Sequence, residues 1–341
     1  MIFGRDIGID LGTSTVTVAV LGKGITSREP SVVAMDKNTG RLLKVGMAAH
    51  RMLGRTPGNI AAIRPIQGGV ISDFDMTERM LRTLVRGVTS SSLFKPRLVI
   101  SVPSCITEVE ERAVIDAGLR AGARKVYLLE DAIAAALGAG LDISKPEGCM
   151  IVDIGAGTTD AAVLSLSGVV EAKSIKSAGD AMNDAIIRFL KRKDSILIGD
   201  ATAEELKRTI GCVFPRPENL SVEVKGRCLM TGLPRTVSVD SADMVEALEE
   251  PAQRILEAVH EVLESTPPEL VGDIATGGIT LTGGGSLIWG LGKLIEGSTN
   301  LPVHTCDDAE MCVAYGLLKS LEWVDNMTEG TLGLSRRKQM K

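Results

Sequence analysis

Aromatic residues are scarce: Phe, Trp and Tyr together make up 3% of the 341 residues, against 44% hydrophobic overall. Cores without them must rest on Ala, Val, Ile and Leu, which suits layered α/β packing. Metal-ligand spacing is also missing. The six cysteines (Cys105, Cys149, Cys212, Cys228, Cys306, Cys312) include no CxxC pair and the three histidines lie far apart, which argues against a structural zinc site. Reduced, cytoplasmic thiols are the simplest reading. No GxxxxGK[ST] occurs, which argues against the P-loop enzymes. No apolar run approaches the roughly 20 residues that span a bilayer, and the amino terminus enters a strand pattern after a few residues, leaving no room for a signal peptide. The net charge of -5 gives no general attraction to nucleic acid; the compact basic cluster Arg336, Arg337 and Lys338 reads as a solvated tail. A cytosolic protein that touches a membrane at most from one side is expected.

What is present is a repeat. IGIDLGTSTVTVAVL (Ile7 to Leu21) resembles MIVDIGAGTTDAAVL (Met150 to Leu164) at a constant offset, so Asp10 matches Asp153, Gly12 matches Gly155 and Thr15 matches Thr158. Ala19, Val20 and Leu21 match Ala162, Val163 and Leu164, carrying the similarity into the next strand. Each copy reads as a β-hairpin with a tight glycine turn. LEDAIAAALGAG (Leu129 to Gly140) has a partial counterpart in CDDAEMCVAYGLL (Cys306 to Leu318), each after a short strand, Lys125 to Leu128 and Val303 to Thr305. A chain of this length exceeds one ordinary core, so the expectation is two related α/β lobes.

Around them, Glu29 to Gly69 reads as a small subdomain inserted after the first hairpin, and Ile186 to Val239 as a second insertion. Met76 to Val88 and Thr107 to Ala121 read as helices and Arg97 to Val102 as a strand. A long helix begins at Ser241, its apolar stripe including Val245, Leu248, Ile255, Val259 and Val262. Ser241 is its expected N-cap, and Pro251 should kink it.

A glycine turn with hydroxyl residues aims several backbone N–H groups at one point, a concavity that favours phosphate oxygens. One such hairpin is commonly an ordinary turn; a matched pair facing across a cleft can clamp a polyphosphate. Asp10 and Asp153, at the ends of buried strands, are placed to hold a hydrated Mg²⁺. Ile279 to Thr282 reads as a strand running into Gly283, Gly284 and Gly285 and then a helix from about Ser286. Taken alone that stretch could be a loop; after two phosphate hairpins it reads as an adenosine platform, since glycines let a flat ring approach the backbone.

The order DLGTST, LED-AIAAALGAG, VDIGAGTTD and LTGGGS resembles the phosphate-1, connect-1, phosphate-2 and adenosine motifs of the actin, sugar kinase and heat-shock chaperone ATPases. Within that superfamily the chain is similar to the MreB/Mbl family over nearly its whole length, through EPSVVAMD (Glu29 to Asp36), MLGRTPGNIAAIRPI (Met52 to Ile66), GGVISDFDMTE (Gly68 to Glu78), TAEELK (Thr202 to Lys207), GLPRT (Gly232 to Thr236) and TPPEL (Thr266 to Leu270). The resemblance implies an actin-like (ribonuclease H-like) duplicated two-lobe α/β fold with a nucleotide cleft. Lobe I would comprise residues 1–145 and 315–341 with about 29–72 inserted, and lobe II 146–314 with about 181–240 inserted.

It implies ATP/ADP with Mg²⁺, phosphate contacts at Gly12, Thr13, Ser14, Thr15, Gly155, Ala156, Gly157, Thr158 and Thr159, and metal-water contacts from Asp10 and Asp153. Glu204 and Lys207 would reach the ribose and adenine, although their i, i+3 spacing alone also fits a surface ion pair. The chain departs from the family in three places: the first turn carries the Ser14-Thr15-Val16 run where an Asn or similar residue is usual, Ala156 stands where a glycine is usual, and connect-1 reads Glu130-Asp131-Ala132 in place of Glu-Glu-Pro. Aligning the Ala-rich helix puts Asp131 in the water-orienting role, with Glu130 as the alternative.

The implied function is a slowly hydrolysing polymer subunit that assembles with itself head to tail, in paired protofilaments, on the anionic inner membrane face. There it would meet cell-wall elongation membrane proteins and guide cell shape. Leu93 and Phe94, flanked by Lys95, Arg97 and Arg86, would insert into lipid. A small-molecule kinase would need an acceptor pocket with its own carboxylate, and a chaperone ATPase would need a peptide-binding domain after Tyr315; neither is evident.

Overall fold

The computed structural model describes residues 6–89 and 94–326. Leu93 and the basic cluster Arg336, Arg337 and Lys338 lie outside the described residues. The first half of the chain runs β1 (Asp6–Leu11), β2 (Thr15–Val20), β3 (Gly24–Pro30), β4 (Val33–Asp36), β5 (Leu42–Val45), α1 (Met47–His50), β6 (Ile60–Ile63), β7 (Ile66–Gln67), β8 (Val70–Ile71), α2 (Phe74–Thr89), β9 (Arg97–Val102), α3 (Glu108–Ala121), β10 (Lys125–Glu130) and α4 (Asp131–Ala139). The second runs β11 (Cys149–Ile154), β12 (Thr159–Ser165), β13 (Gly168–Ile175), α5 (Gly179–Asp194), β14 (Ile196–Leu197), α6 (Asp200–Ile210), β15 (Ser221–Cys228), β16 (Pro234–Asp240), α7 (Ser241–Ser265), α8 (Pro268–Gly277), β17 (Ile279–Thr282), α9 (Leu291–Thr299), β18 (Val303–Thr305) and α10 (Cys312–Ser320).

Two five-stranded sheets share one plan. Read from the hairpin edge, the orders are β3-β2-β1-β9-β10 and β13-β12-β11-β17-β18. In each, three antiparallel strands are followed by two that run parallel to the first. The repeat in the sequence is therefore a repeat of whole sheets. The inserted segments form separate three-stranded sheets, β5-β4-β6 after the first hairpin and β14-β15-β16 in the second half.

Strand alternation divides the cores. On β1, Ile7 and Ile9 face the outer core beneath α2 and α3, while Gly8 and Asp10 face the opposite side, where Gly8 lets the Leu317 side chain of α10 approach. A central core then joins the two sheets: Val99, Tyr127 and Leu129 from the first, Ile151, Ala162 and Leu164 from the second, with α4 and α10 between them. Each fully buried aliphatic side chain there contributes roughly 1.5–3 kcal/mol. The third core fills the second half around α5, α6 and α7.

Local signals set the boundaries. Thr107 caps α3 in a reciprocal box with Glu110. The long helix differs from expectation: its N-cap is Asp240, whose side chain accepts from Asp243 N–H at 3.0 Å while Asp243 accepts from Asp240 N–H at 3.2 Å. Ser241 instead ties the helix start to the preceding segment, accepting from Leu220 N–H at 3.0 Å. Asp outcompetes Ser here because a carboxylate also opposes the helix dipole. The helix continues through Pro251 to Ser265.

Candidate functional site

The two hairpin turns meet. A Cβ placed on Gly157 would come within 2.2 Å of Thr13 Oγ1, so the second turn abuts the first with no room for a side chain. Thr13 is buried and its hydroxyl accepts from Gly69 N–H at 2.9 Å. Gly69, in the turn between β7 and β8, also lies against Thr158, where an added Cβ would be 2.8 Å from Cγ2. The first inserted segment thus reaches both turns. Ser14 is exposed, and Gly12, Thr15, Gly155, Ala156 and Thr158 are half-buried. Thr159 is fully buried and its hydroxyl donates to Ser177 O at 2.7 Å, so it is turned into the structure and away from an outside ligand.

Behind the turns, four carboxylates converge. Asp10 is the penultimate residue of β1, Asp153 is the penultimate residue of β11, Asp131 opens α4, and Asp160 stands opposite Asp153 on β12. Burial pushes Asp10 up to about 6, opposed by Arg28 and the Ser101 hydroxyl. Burial pushes Asp153 up to about 7, opposed by Thr282, whose hydroxyl donates to it at 2.8 Å. Asp131 is held well above the usual carboxylate range by burial first, then by Asp160, Asp10 and Asp153. Asp160 is likewise raised by burial, and Ser104 N–H donates to it at 3.0 Å from the first half of the chain. These groups are short of positive charge, and a cation with a polyanion would supply what their surroundings lack.

Glu130, the alternative to Asp131, ends β10 on the strand face of Val126 and Leu128, which belong to the outer core. Asp131 begins α4 on the side of the other three carboxylates.

The glycine stretch behaves differently from a uniform platform. Gly283 has φ 78 and, like Gly285, packs against Ile154 at the end of β11, where added Cβ atoms would lie 2.3 and 2.4 Å from Ile154 atoms. Only Gly284 is exposed. A short 3-10 turn, Gly284–Leu287, follows, and the next α-helix starts at Leu291, not near Ser286. Glycine's freedom serves the strand end as much as any ligand.

Glu204 and Lys207 sit on α6 and form more than a surface pair. The Lys207 ammonium is largely buried and donates to Glu204 at 2.7 Å and to Gly179 O at 2.9 Å, at the start of α5. Asn183 of α5 donates to Glu204 at 3.0 Å. The N-terminus of α5 in turn bonds the second hairpin turn, through Asp180 N–H to Ala156 O at 2.7 Å and Gly179 N–H to Gly155 O at 3.2 Å. The structure therefore connects Gly155, Ala156, Glu204 and Lys207, and it separates Phe94, which is exposed just before β9.

Sequence reasoning missed Asp160, Ser101 and Thr282. Asp160 had a signal: a lone carboxylate inside the buried run Thr159–Ser165 needs a reason. Ser101 had none, since a serine ending a strand is unremarked without its neighbours.

Paired ribonuclease H-like sheets, with glycine turns opposed between them, define the class of two-lobed actin-like proteins. The chain belongs to the MreB/Mbl family, whose model, described as MreB/Mbl protein, matches residues 4–329. It is 48% identical over 331 residues to the cell shape-determining protein Mbl of Bacillus cereus, covering 97% of this chain and 99% of that one. It is 46% identical over 329 residues to the cell shape-determining protein MreB of Escherichia coli, covering 95% of each. The crystal structure of MreB 5 of Spiroplasma citri bound to AMPPNP superposes with a TM-score of 0.88 at 34% identity, covering 95% of this chain and 97% of that chain.

Proposed function

We propose that this chain is an ATP-binding, actin-like filament subunit of the bacterial cytoskeleton that acts in cell-shape determination. The observation that carries the reading is the contact of two duplicated glycine turns above converging carboxylates, which suits a clamped polyphosphate. The cell-shape names of the relatives and the AMPPNP bound to the Spiroplasma protein support it. In this reading, residues 1–145 and 315–341 form lobe I and 146–314 lobe II. Backbone amides of Gly12 to Thr15 and Ala156 to Thr158 cradle the phosphates, and Glu204, Lys207 and Gly284 receive the nucleoside.

Asp10 and Asp153 would hold Mg²⁺ through its water shell, and their raised proton affinity fits groups that gain from a nearby cation. When bound, the ion neutralises charge on the phosphates. Asp131 orients the attacking water. Nucleotide in the cleft favours one arrangement of the lobes, and that arrangement adds head to tail to an open polymer, which lies against the inner membrane face beside cell-wall elongation proteins.

Calorimetry with Mg-ATP and light scattering on the same samples test the reading. The wild type should bind and assemble, and Asp10→Ala and Asp153→Ala should weaken binding at least about tenfold, the loss of one charge-assisted interaction, and reduce assembly in parallel. Wild-type nucleotide affinity in both variants would remove the metal assignment, and absence of ATP-dependent scattering or of filaments by electron microscopy would remove the polymer reading.

A further inference from the structure

Arg64 lies between β6 and β7, in the segment inserted after the first hairpin, yet its partners belong to the second half of the chain. Its Nη2 donates to Asp200 Oδ2 at 2.9 Å, at the start of α6, and its Nη1 to Asp180 Oδ1 at 3.3 Å, at the start of α5. Asp200 passes the contact on. Its other carboxylate oxygen accepts from Asn183 Nδ2 at 3.2 Å, and the same amide donates to Glu204 at 3.0 Å. Glu204 holds Lys207, which is anchored on Gly179 O. A continuous polar chain therefore runs from Arg64 in the first half to the Glu204–Lys207 pair in the second.

We propose that Arg64 is a positioning residue for nucleotide: by fixing Asp200 and, through Asn183, the Glu204–Lys207 pair, it sets the side of the cleft that receives the nucleoside. This rests on the nucleotide reading above. The guanidinium is suited to the task because its planar fork reaches two carboxylates at once, whereas an ammonium is a point charge. Arg64 is about three-quarters shielded from solvent (side-chain exposure 25%), while Asp180 and Asp200 are more open at 36% and 49%. An isolated pair of that kind contributes little, so the effect on binding comes from the network, in which one partner orders the next. Asn183 is itself buried and cannot turn to solvent when Asp200 moves.

The second phosphate turn meets this network only through the backbone, where Gly179 N–H donates to Gly155 O and Asp180 N–H to Ala156 O; substituting the Arg64 or Asp200 side chain leaves those bonds in place, which gives the test its discrimination. Equilibrium binding of Mg-ATP, Mg-ADP and Mg-tripolyphosphate is measured for the wild type, Arg64→Ala, Arg64→Lys, Asp200→Asn and the double variant Arg64→Ala/Asp200→Asn, with thermal melting of each nucleotide-free protein as a folding check. Arg64→Ala should weaken ATP and ADP by about fivefold and leave tripolyphosphate within about twofold of wild type. Arg64→Lys should recover part of the loss, and the double variant should be no weaker than the worse single one, because both break the same chain. Unchanged ATP affinity in Arg64→Ala overturns the proposal, as does equal loss of ATP and tripolyphosphate or full additivity in the double variant. A wild type that fails to bind Mg-ATP removes the nucleotide reading itself and is recognised before any variant is compared.

Discussion

Asp131 is buried beside Asp160, Asp10 and Asp153, and if it orients the attacking water as proposed, its length sets the expected rate. A γ-phosphate is attacked by a water held in line, and the protein contributes mainly position and charge stabilisation. Asp is one methylene shorter than Glu, and a displacement near 1 Å can cost about 10²-fold. Phosphate release from assembled filaments should therefore rise several-fold in Asp131→Glu and fall at least about tenfold in Asp131→Ala. If Glu130→Ala alone abolished turnover, the outward strand face that Glu130 shares with Val126 and Leu128 would have misled the assignment. The same carboxylates set a pH dependence. Asp10 and Asp153 titrate near 6 and 7 in the fold, against 3.8 when unfolded. Between those values the folded form keeps protons that the unfolded chain has released, so stability is fullest below the unfolded value and is lost as pH rises through the folded ones. Each group removes about 1.4 kcal/mol per pH unit across its window. Nucleotide-free protein in EDTA should melt lower at pH 8 than at pH 5, and Asp153→Asn should show a smaller drop; an identical drop would mean that Asp153 does not hold the extra proton.

At the scale of elements, the crossing of α4 and α10 is where the duplication becomes mechanical. A Cβ on Gly138 would lie 1.7 Å from Cys312 O, and a Cβ on Gly316 would lie 1.7 Å from Ala134 O. The two contacts are related by exchange of the repeats, because Gly138 follows Ala134, and Gly316 follows Cys312, by four residues. Neither backbone can yield without parting the helices that form the central core. Gly138→Ala and Gly316→Ala should each destabilise by about 3 kcal/mol or more, read as a lowered urea midpoint. Gly87→Ala, in an exposed helical position with no atom within 4 Å of the added methyl, should instead stabilise by about 0.5–1 kcal/mol. Equal effects at all three positions would show that the crossing is not tight in solution. The hairpins were legible because offset identity and strand alternation are local patterns, and Arg97–Val102 and Val303–Thr305 emerged at the same bounds in the structure. The helix after the three glycines was misplaced because Gly283 and Gly285 answer to Ile154, a residue far away in sequence. The Ser104–Asp160 bond and the Arg64 network were invisible for the same reason: no local pattern records which loops a cleft brings together.

For the whole molecule, the membrane contact proposed above sets an electrostatic problem, since the chain is acidic and so is the proposed surface. A net charge of -5 repels anionic lipid on average, so the proposed adhesion requires a local patch. Among the described residues no helix is long and apolar enough to cross a membrane. Phe94 is 53% exposed shortly before β9, beside exposed Lys95, and Arg86 is exposed in the last turn of α2. Phe94 is thus an exposed apolar side chain next to a basic one, and Leu93 precedes it in the sequence. Inserting both side chains contributes roughly 3–5 kcal/mol at most, which corresponds to a dissociation constant of about 1 mM. On the proposed reading, single subunits should bind weakly, and a polymer that repeats the segment in every subunit should bind by multivalency. Filaments of a Leu93→Ser, Phe94→Ser variant should assemble with Mg-ATP as the wild type does and yet fail to co-sediment with anionic liposomes. Wild-type filaments should lose co-sedimentation progressively as salt screens the basic flank. Normal co-sedimentation of the variant filaments would place the membrane contact elsewhere on the subunit, and loss of assembly without liposomes would assign the segment to the filament instead.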